Sequence, residues 1–394
     1  MIPKYRKQFN QEFSQEKYQQ LKNILKQKGG VETTFRISES PLFLTKEFEN
    51  KLIEASESII TQIKNLPAET LQKAVPENCR VPNDTDKPHF FTIDFGICRS
   101  ENGEIEPQLI ELQAFPSLYA FQKTYEETFC EVYPFLDAIK NPMPYEAFTN
   151  YLKELIIGDE HPDHVILLEI FPEKQKTAID FALTEKLLGI KTVCLTKVKK
   201  QGKKLFYEHD GKLIEIKRIY NRVIFDELDN IPDLITEFDF REEVDVKWIT
   251  HPNWFFKISK FLLPLLKHQF VPKSYFLNEF PEQENLDNFV LKPLFSFAGS
   301  GVNLNPTKEI TEAIQDKENY ILQRKVAYEP IFEDIKGEFS KAEIRLLYIW
   351  RENDDRPILL ENLGRMTKAA MVNVDFNKKD AIWIGSSNAF FAEG

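Results

Sequence analysis

The chain has 394 residues, of which 42% are hydrophobic and 29% are charged, a composition typical of a globular protein with room for two or three domains. The 62 acidic residues outnumber the 51 basic ones, and the net charge of -11 argues against nucleic-acid binding over the whole surface, although it leaves room for a local basic groove. No apolar run approaches membrane-spanning length and the first residues lack an apolar signal core, so we expect a cytoplasmic protein without membrane or nucleic-acid partners.

The cysteines, at positions 79, 98, 130 and 194, are widely spaced and include no CxxC pair. They therefore give no support to a zinc or redox motif, and we expect reduced thiols in a reducing compartment. The histidines are scattered along the chain and form no metal-ligand pattern.

The first 84 residues are expected to form a helical N-terminal region. Apolar residues recur at helical spacing over 8–28, and Gly29-Gly30 ends that run. Thr45 precedes a second amphipathic helix over 46–66, which Pro67 ends. We expect these helices to be structural.

A β-hairpin is predicted over 90–113. Two apolar runs flank Asn102-Gly103, the strongest short hairpin signal. If that pair forms a two-residue turn, opposed residues have numbers that sum to 205, and Asp94 lies opposite Glu111. Gln113 then lies two residues further along the same face. A bulge near Pro107 would change this register.

The predicted hairpin offers oxygen ligands for a cation. Facing carboxylates of Asp94 and Glu111 repel each other unless a cation lies between them. Magnesium takes one or two carboxylates and completes its shell with water and phosphate oxygens, which Asp94, Glu111 and Gln113 would suit. An exposed hairpin with scattered acids has the same pattern, and these residues alone do not separate the two interpretations.

A βαβ unit is predicted within 151–250. An apolar run over 164–170 reads as a buried strand, a helix from near Pro172 runs to about Leu188, and a second strand follows over 191–195. Such a unit predicts a parallel sheet with crossover helices. A further run over 212–220 ends in Asn221-Arg222, where the arginine suits either a carboxylate substrate or a surface ion pair.

An apolar strand followed by a glycine-containing loop lies further along the chain. A helix over 254–266, with Lys260 among apolar residues, leads into this region. The run over 289–291 ends in Lys292-Pro293, and the small residues of 296–301 follow. Glycines let backbone N–H groups converge on an anion, and a lysine adds positive charge. The spacing matches neither the P-loop nor the dinucleotide fingerprint, and a hairpin turn with one exposed lysine remains the alternative.

Two more strands are predicted after this loop. A short apolar run over 320–322 leads into Gln323-Arg324-Lys325-Val326. The stretch 343–350 alternates as a strand, with Glu343 and Arg345 on one face, and Arg365, Lys368 and Asn373 follow a run over 358–360. The arginines suit phosphate contact, and paired surface charges on a two-sided sheet are the alternative.

Together these stretches resemble the ATP-grasp superfamily. The Lys292-Pro293 strand end and its loop are similar to that family's strand and phosphate-covering loop. The strand ending at Gln323 resembles the hinge strand, whose next residues present backbone groups to adenine. The strand of Arg345 resembles the one whose arginine approaches the phosphates, and Lys260 resembles the other nucleotide lysine.

The order of these motifs is that of a circularly permuted member. In the usual family order, a metal motif of Asp and Glu-x-Asn follows the elements that Arg365 and Asn373 resemble. Here the match lies upstream, as Asp94 and Glu111-Leu112-Gln113, with glutamine where the family has asparagine. Eukaryotic-type glutathione synthetases and glutathionylspermidine synthase have this permuted order. The resemblance covers roughly residues 85–394.

The resemblance implies a fold of the α/β (α+β) class, a permuted ATP-grasp with a Rossmann-like domain before it. Its regions would be helical 1–84, hairpin 85–150, Rossmann-like 151–250 and nucleotide-binding 251–394. The implied activity is an ATP- and Mg²⁺-dependent ligase that joins a small-molecule carboxylate to an amine through an acyl phosphate. A nucleotide-binding sensor without ligase activity and a phosphotransferase are the alternatives.

The resemblance also assigns roles. Magnesium would be held by Asp94, Glu111 and Gln113, and the catalytic residues would be Arg345, Arg365 and Lys292. The nucleotide would be bound by Lys260, Lys292, Ser296, Gly299, Ser300, Gly301, Gln323, Lys325 and Val326. Replacing Lys292 or Arg345 is expected to abolish turnover without unfolding the protein.

Overall fold

The computed structural model describes residues 2–231, 233–295, 300–369 and 381–394. Ser296, Gly299 and Asn373 lie outside the described residues. Within the described ranges the helices are α1 (Pro3–Glu12), α2 (Gln15–Gly29), α3 (Lys46–Lys64), α4 (Ala68–Lys73), α5 (Tyr119–Val132), α6 (Tyr145–Ile156), α7 (Ala178–Leu188), α8 (Phe225–Asp229), α9 (Trp254–Lys257) and α10 (Lys308–Ala313).

Strands make up five sheets in the same described ranges. The first nine are β1 (Leu42–Thr45), β2 (Phe90–Arg99), β3 (Ile105–Ala114), β4 (Val165–Glu169), β5 (Lys191–Cys194), β6 (Lys199–Gln201), β7 (Lys204–His209), β8 (Lys212–Ile216) and β9 (Arg218–Asn221). The others are β10 (Lys247–Ile249), β11 (Ser274–Phe276), β12 (Phe289–Pro293), β13 (Tyr320–Arg324), β14 (Phe332–Glu333), β15 (Phe339–Ile349), β16 (Ile358–Thr367), β17 (Gly385–Ser387) and β18 (Ala389–Ala392).

A six-stranded antiparallel sheet joins residues from near both ends of the sequence. Its order is β17-β16-β15-β2-β3, and β14 pairs with the start of β15. Because side chains alternate across a strand, β2 has two different faces. Its odd-numbered Ile93 and Phe95 belong to the same buried cluster as Phe9 and Leu52 of the N-terminal helices, while Asp94 points the other way. The N-terminal helices therefore cover the face of the sheet opposite to Asp94.

The predicted hairpin is β2 and β3, but its turn differs from the predicted one. Ser100 N donates to Glu104 O at 2.9 Å, and Gly103 has a φ of 83°. The loop is thus three residues long, with glycine in the left-handed position, instead of a two-residue Asn-Gly turn. The longer loop moves the pairing of the two strands by one residue from the predicted register. Between Asp94 and Phe95 the register moves back, because β3 carries one extra residue there. Asp94 therefore pairs with Glu111, as predicted.

The four-stranded sheet is parallel and has the order β10-β9-β4-β5. The unit β4-α7-β5 confirms the predicted βαβ crossover, and Gly189 ends α7 with a φ of 75°. The helix begins at Ala178, later than predicted, because 172–174 form a separate 3-10 turn. The predicted strand over 212–220 is two strands. Lys217 N donates to His164 O at 2.8 Å, and there the chain passes from the β6-β7-β8 sheet to the parallel one.

A small antiparallel sheet, β11-β13-β12, carries Lys292 and Gln323, and β1 pairs with β18 in a two-stranded parallel sheet. Two helix predictions need correction. The run over 8–28 forms two helices, because Phe13 is extended and Ser14 caps α2. The helix predicted over 254–266 breaks after Lys257, where Ile258 O accepts a bond from Ala114 N at 3.0 Å, and resumes as a 3-10 helix.

Candidate functional site

A buried carboxylate held by two arginines lies on one face of the six-stranded sheet. Asp94 on β2 is directly opposite Arg345 on β15 and Glu111 on β3. Arg345 Nε donates to Asp94 Oδ1 at 2.8 Å, and its Nη2 donates to Oδ2 at 2.6 Å. Arg365 on β16 also donates to Oδ2. Asp94 has no exposed side-chain surface, so both guanidiniums neutralise a charge that water does not reach.

The arginines keep Asp94 ionised. Burial raises the pKa of Asp94, but Arg345 and Arg365 outweigh burial and hold that pKa below its ordinary value. The reverse holds for Glu343, which faces Arg365 with Oε2 at 3.1 Å from Nη2. Burial raises the pKa of Glu343 although Arg365 opposes it, and the charges of Asp94 and Glu111 add to the rise. The hydroxyl of Tyr328 donates to the other oxygen of Glu343. Sequence reasoning missed Tyr328 and the burial of Glu343, because both depend on long-range packing.

The predicted metal ligands lie on one face of the six-stranded sheet, and they differ in the hydrogen bonds and ion pairs that they already make. The Glu111 side chain is 18% exposed, its Oε1 accepts a bond from Gln113 Nε2, and its Oε2 lies 3.9 Å from Lys260 Nζ. Gln113 Oε1 accepts from Arg345 Nη2 at 3.0 Å. In Asp94 both oxygens accept N–H bonds from cations, so its role as a metal ligand stays a prediction that requires an arginine to move.

In the described part of the chain, no group of three or more histidine, cysteine, aspartate or glutamate side chains could hold a metal ion. The predicted set has two carboxylates and one amide, and magnesium commonly relies on that few protein ligands. Glu111 fits this chemistry, and Gln113 fits through the lone pair that Arg345 does not use.

Both predicted lysines reach the hairpin from other parts of the chain. Lys292, 9% exposed on β12, donates to Ile110 O at 3.2 Å and to Gln323 Oε1. Lys260, at the start of the 3-10 helix after α9, faces Glu111. Burial lowers the pKa of Lys292 to about 8, which Glu111 opposes and Lys260 reinforces. Two ammonium groups and a carboxylate from three distant segments therefore meet at one place.

The loop after Lys292 is only partly described. Leu291 and Asn303 form an antiparallel bridge, with N–O distances of 3.0 and 2.9 Å, so the chain returns beside β12. Gly301 has a φ of 71°, and a Cβ there would lie 2.8 Å from a Pro293 carbon, so this turn requires glycine. Ser300 is exposed. The pairing of Leu291 with Asn303 agrees with the hairpin alternative, but Lys292 is buried instead of exposed.

The predicted hinge residues have separate surroundings. The side chain of Gln323 is buried between the small sheet and β3. Lys325 N donates to Asn288 O at 2.8 Å, and its Nζ donates to Asn305 Oδ1 at 3.1 Å. Val326 is half-buried. A role for these backbone groups in adenine binding stays a prediction.

Arg222 has a role that the sequence did not indicate. Its Nη1 donates to Phe115 O at 2.6 Å and to Pro116 O at 2.7 Å. Phe115 has a φ of 62°, which is rare for a bulky residue, so the arginine holds a strained turn at the end of β3. That turn forms one wall of a cleft that opens beside Gln113 and Lys260 and is otherwise mostly apolar.

Replacing Glu169, at the end of β4, is expected to stabilise the protein at alkaline pH. Burial raises the pKa of Glu169 to about 8, although Arg222 opposes it. The folded state therefore binds this proton more tightly than the unfolded state, and stability falls as pH rises from the ordinary glutamate pKa through 8. Glu169→Gln removes that loss. Urea denaturation should show a gain at pH 8.5 over pH 5.5 on the order of 3 kcal/mol, because the loss accumulates at about 1.4 kcal/mol per pH unit over most of this range.

Glu173→Gln is the matched control, because Glu173 is exposed on the next turn of chain. It should leave the pH dependence of unfolding as in the wild type. An identical pH dependence in Glu169→Gln would contradict the raised pKa.

In the described part of the chain, no helix combines the length and apolar character needed to cross a bilayer. The described cysteines form no disulfide: Cys98 and Cys130 are buried, while Cys79 and Cys194 are half-buried.

Comparison with known proteins identifies the fold but no family. No protein-family model matches the sequence, and the search of curated proteins found no match. Among solved structures, the chain is similar to a glutathione synthetase-like effector from Globodera pallida in its apo form, with a TM-score of 0.57 and 11% identity. The similarity covers 95% of this chain and 96% of that one. The chain therefore has a glutathione synthetase-like fold, and at this identity the likeness carries no activity.

Proposed function

We propose that this protein is an ATP- and Mg²⁺-dependent ligase of the circularly permuted ATP-grasp type, which joins a carboxylate to an amine. The observation that carries the proposal is the meeting of Lys260 and Lys292 with Glu111, which is far from both lysines in the sequence. The glutathione synthetase-like fold over nearly the whole chain supports it.

The chemistry requires positioning and charge neutralisation. A carboxylate is a poor electrophile at neutral pH, and its phosphorylation provides a good leaving group for attack by an amine. In this proposal Lys260 and Lys292 bind the phosphates, and Arg345 and Arg365 stabilise the charge that develops on the transferred phosphoryl group or the acyl phosphate. The apolar cleft beside Gln113 and Lys260 would exclude water from the reacting groups.

Glu111 and Gln113 would hold the magnesium ion, which supplies charge neutralisation at the β- and γ-phosphates when bound. Asp94 would act through the arginines that it orients, as long as both remain bound to it. These different roles for Asp94, Glu111 and Gln113 follow from the hydrogen bonds that their oxygens already accept.

Thermal unfolding with ATP, with and without magnesium, tests the proposal. A ligand at about a hundred times its Kd stabilises the folded state by roughly 2.7 kcal/mol, so Tm should rise with ATP and rise further with magnesium. Glu111→Gln should lose the magnesium-dependent part and keep part of the response to ATP alone. Glu106→Gln, on the same strand and half-buried, should respond as the wild type does. A wild-type Tm that ATP does not change would refute nucleotide binding.

A nucleotide-binding protein without ligase activity is the second candidate. The observation that favours it is the engagement of both Asp94 oxygens by arginines, which leaves two predicted metal ligands instead of three. Release of ADP that requires both a carboxylate and an amine would exclude this candidate. Binding of ATP without such release, across a panel of amino acids and polyamines, would favour it.

A further inference from the structure

At the outer edge of the six-stranded sheet, the backbone of β3 is hydrogen-bonded by groups from the small sheet and from the segment that leads into it. β3 is an edge strand, so its outward-facing N–H and C=O groups need partners from elsewhere. Leu109 N donates to Phe270 O at 2.8 Å. Ile110 is the extra residue at the register shift and has no Cα partner in β2, and its carbonyl accepts from Lys292 Nζ at 3.2 Å. The outward-facing backbone groups of β3 are therefore hydrogen-bonded by side chains as well as by backbone.

Gln323 makes the connection between the sheets. It lies in β13, the central strand of the small sheet, and is 3% exposed. Its Nε2 donates to Leu109 O at 3.1 Å, and its Oε1 accepts from Lys292 Nζ. One amide thus binds the edge strand with its donor and the lysine with its acceptor. A buried amide with both ends engaged has a fixed orientation, because turning it over would break both bonds.

We propose that Gln323 is a positioning residue, which fixes the Lys292 ammonium at the β3 edge beside Glu111 and joins the small sheet to the six-stranded sheet. The part that concerns phosphate binding by Lys292 rests on the proposed function. The part that concerns the position and protonation of Lys292 does not, since it follows from contacts within the chain.

The charge of Lys292 depends on this arrangement. The charged groups that face it are Glu111 on β3, Glu343 on β15 and Lys260 after α9. Burial in this surrounding lowers the pKa of Lys292 to about 8, so its protonation changes in the weakly alkaline range and not near its ordinary pKa. Hydrogen bonds that accept from an ammonium favour its charged form. The carbonyl groups of Gln323 and Ile110 therefore help to keep Lys292 protonated.

The test is the pKa of Lys292 Nζ, measured by ¹⁵N-lysine NMR on the full chain without nucleotide. Lys292→Arg identifies the resonance. Gln323→Met keeps a similar shape and removes both polar ends, so the pKa should fall by about 1–2 units, because a hydrogen bond to a charged group has about that strength. Gln323→Glu retains an acceptor and adds a negative charge, so the pKa should rise instead. Gln108→Met is the control, because the Gln108 amide donates only to nearby Glu106 among the described residues.

The two variants keep the proposal falsifiable. If Gln323→Met does not fold, Gln323→Glu alone decides, and an unchanged Lys292 pKa in it overturns the proposal. Gln323 binds the Leu109 carbonyl, while the Leu109 N–H donates to Phe270 O across the same sheet edge. In folded Gln323→Met the Leu109 N–H should therefore exchange faster than in the wild type, and equal exchange rates would contradict a role of Gln323 in joining the sheets. Failure of ATP to stabilise the wild type would remove the proposed function and leave these two measurements valid.

Discussion

Arg345→Met is expected to lower the free energy of unfolding by about 3–5 kcal/mol, since removing one partner of a buried ion pair leaves the other charge buried. Asp94 has no exposed side-chain surface, and Arg345 supplies two of the three N–H donors to it. Arg365 would remain, but Glu343 shares it. The sequence alone predicts a loss of turnover with an intact fold, whereas the burial of Asp94 adds a large loss of stability.

Arg351→Met is the matched control for that experiment. Arg351 also binds an aspartate through two nitrogens, with 2.7 and 3.0 Å to the Asp354 oxygens, but its side chain is 26% exposed. Arg351 also donates to Glu154, whose side chain is 60% exposed. Ion pairs that water reaches contribute about 0–1 kcal/mol each, so urea denaturation should detect a loss of no more than about 2 kcal/mol, below that of Arg345→Met. Asp94→Asn combined with Arg345→Met should recover part of the loss, because the uncompensated charge is gone. Equal losses for Arg345→Met and Arg351→Met would contradict the account of Asp94.

The hairpin shows both the reach and the limit of sequence reasoning at this site. The Asn-Gly pair and the flanking apolar runs indicate two strands, and they place Asp94 opposite Glu111. That register is correct for a reason the sequence did not give. A three-residue loop shifts it by one position, and the extra residue Ile110 shifts it back. The bulge depends on partners more than 150 residues away, such as Lys292, so local pattern cannot reveal it.

Long-range contacts explain the other differences. The alternation of charged and apolar residues identifies the strand of Arg345, but not that β15 pairs with β2 and brings Arg345 to Asp94. The helix predicted over 254–266 has correct periodicity, yet Ile258 uses its carbonyl on the edge of β3 and the helix breaks. Edge strands need partners, and residues that supply them depart from their local preference. The site is therefore predictable in its residue types and only partly in its contacts.

Lys292→Met is expected to remove the stabilisation of the protein by ATP and, if the protein is a ligase, to lower turnover by about 10²–10³. Lys292 is a buried cation that donates hydrogen bonds to two neutral oxygens. Among the nearby charges, Glu111 contributes most to keeping it protonated. Methionine keeps most of the length of the side chain and removes the charge. The loss also leaves Gln323 and Ile110 with one donor fewer, so the unliganded protein should unfold about 1–3 kcal/mol more easily.

The measurement must separate these effects. The Tm of each variant is compared with and without ATP and magnesium, so that the change on adding nucleotide is read apart from the change in the unliganded protein. Lys273→Met is the matched control, because Lys273 precedes β11 of the same small sheet and its exposed ammonium pairs with Glu284 at 2.8 Å. It should retain the full response to ATP. If Lys292→Met responds to ATP as strongly as Lys273→Met does, the buried lysine does not contact the nucleotide, and the meeting of Lys260, Lys292 and Glu111 serves only to hold the two sheets together.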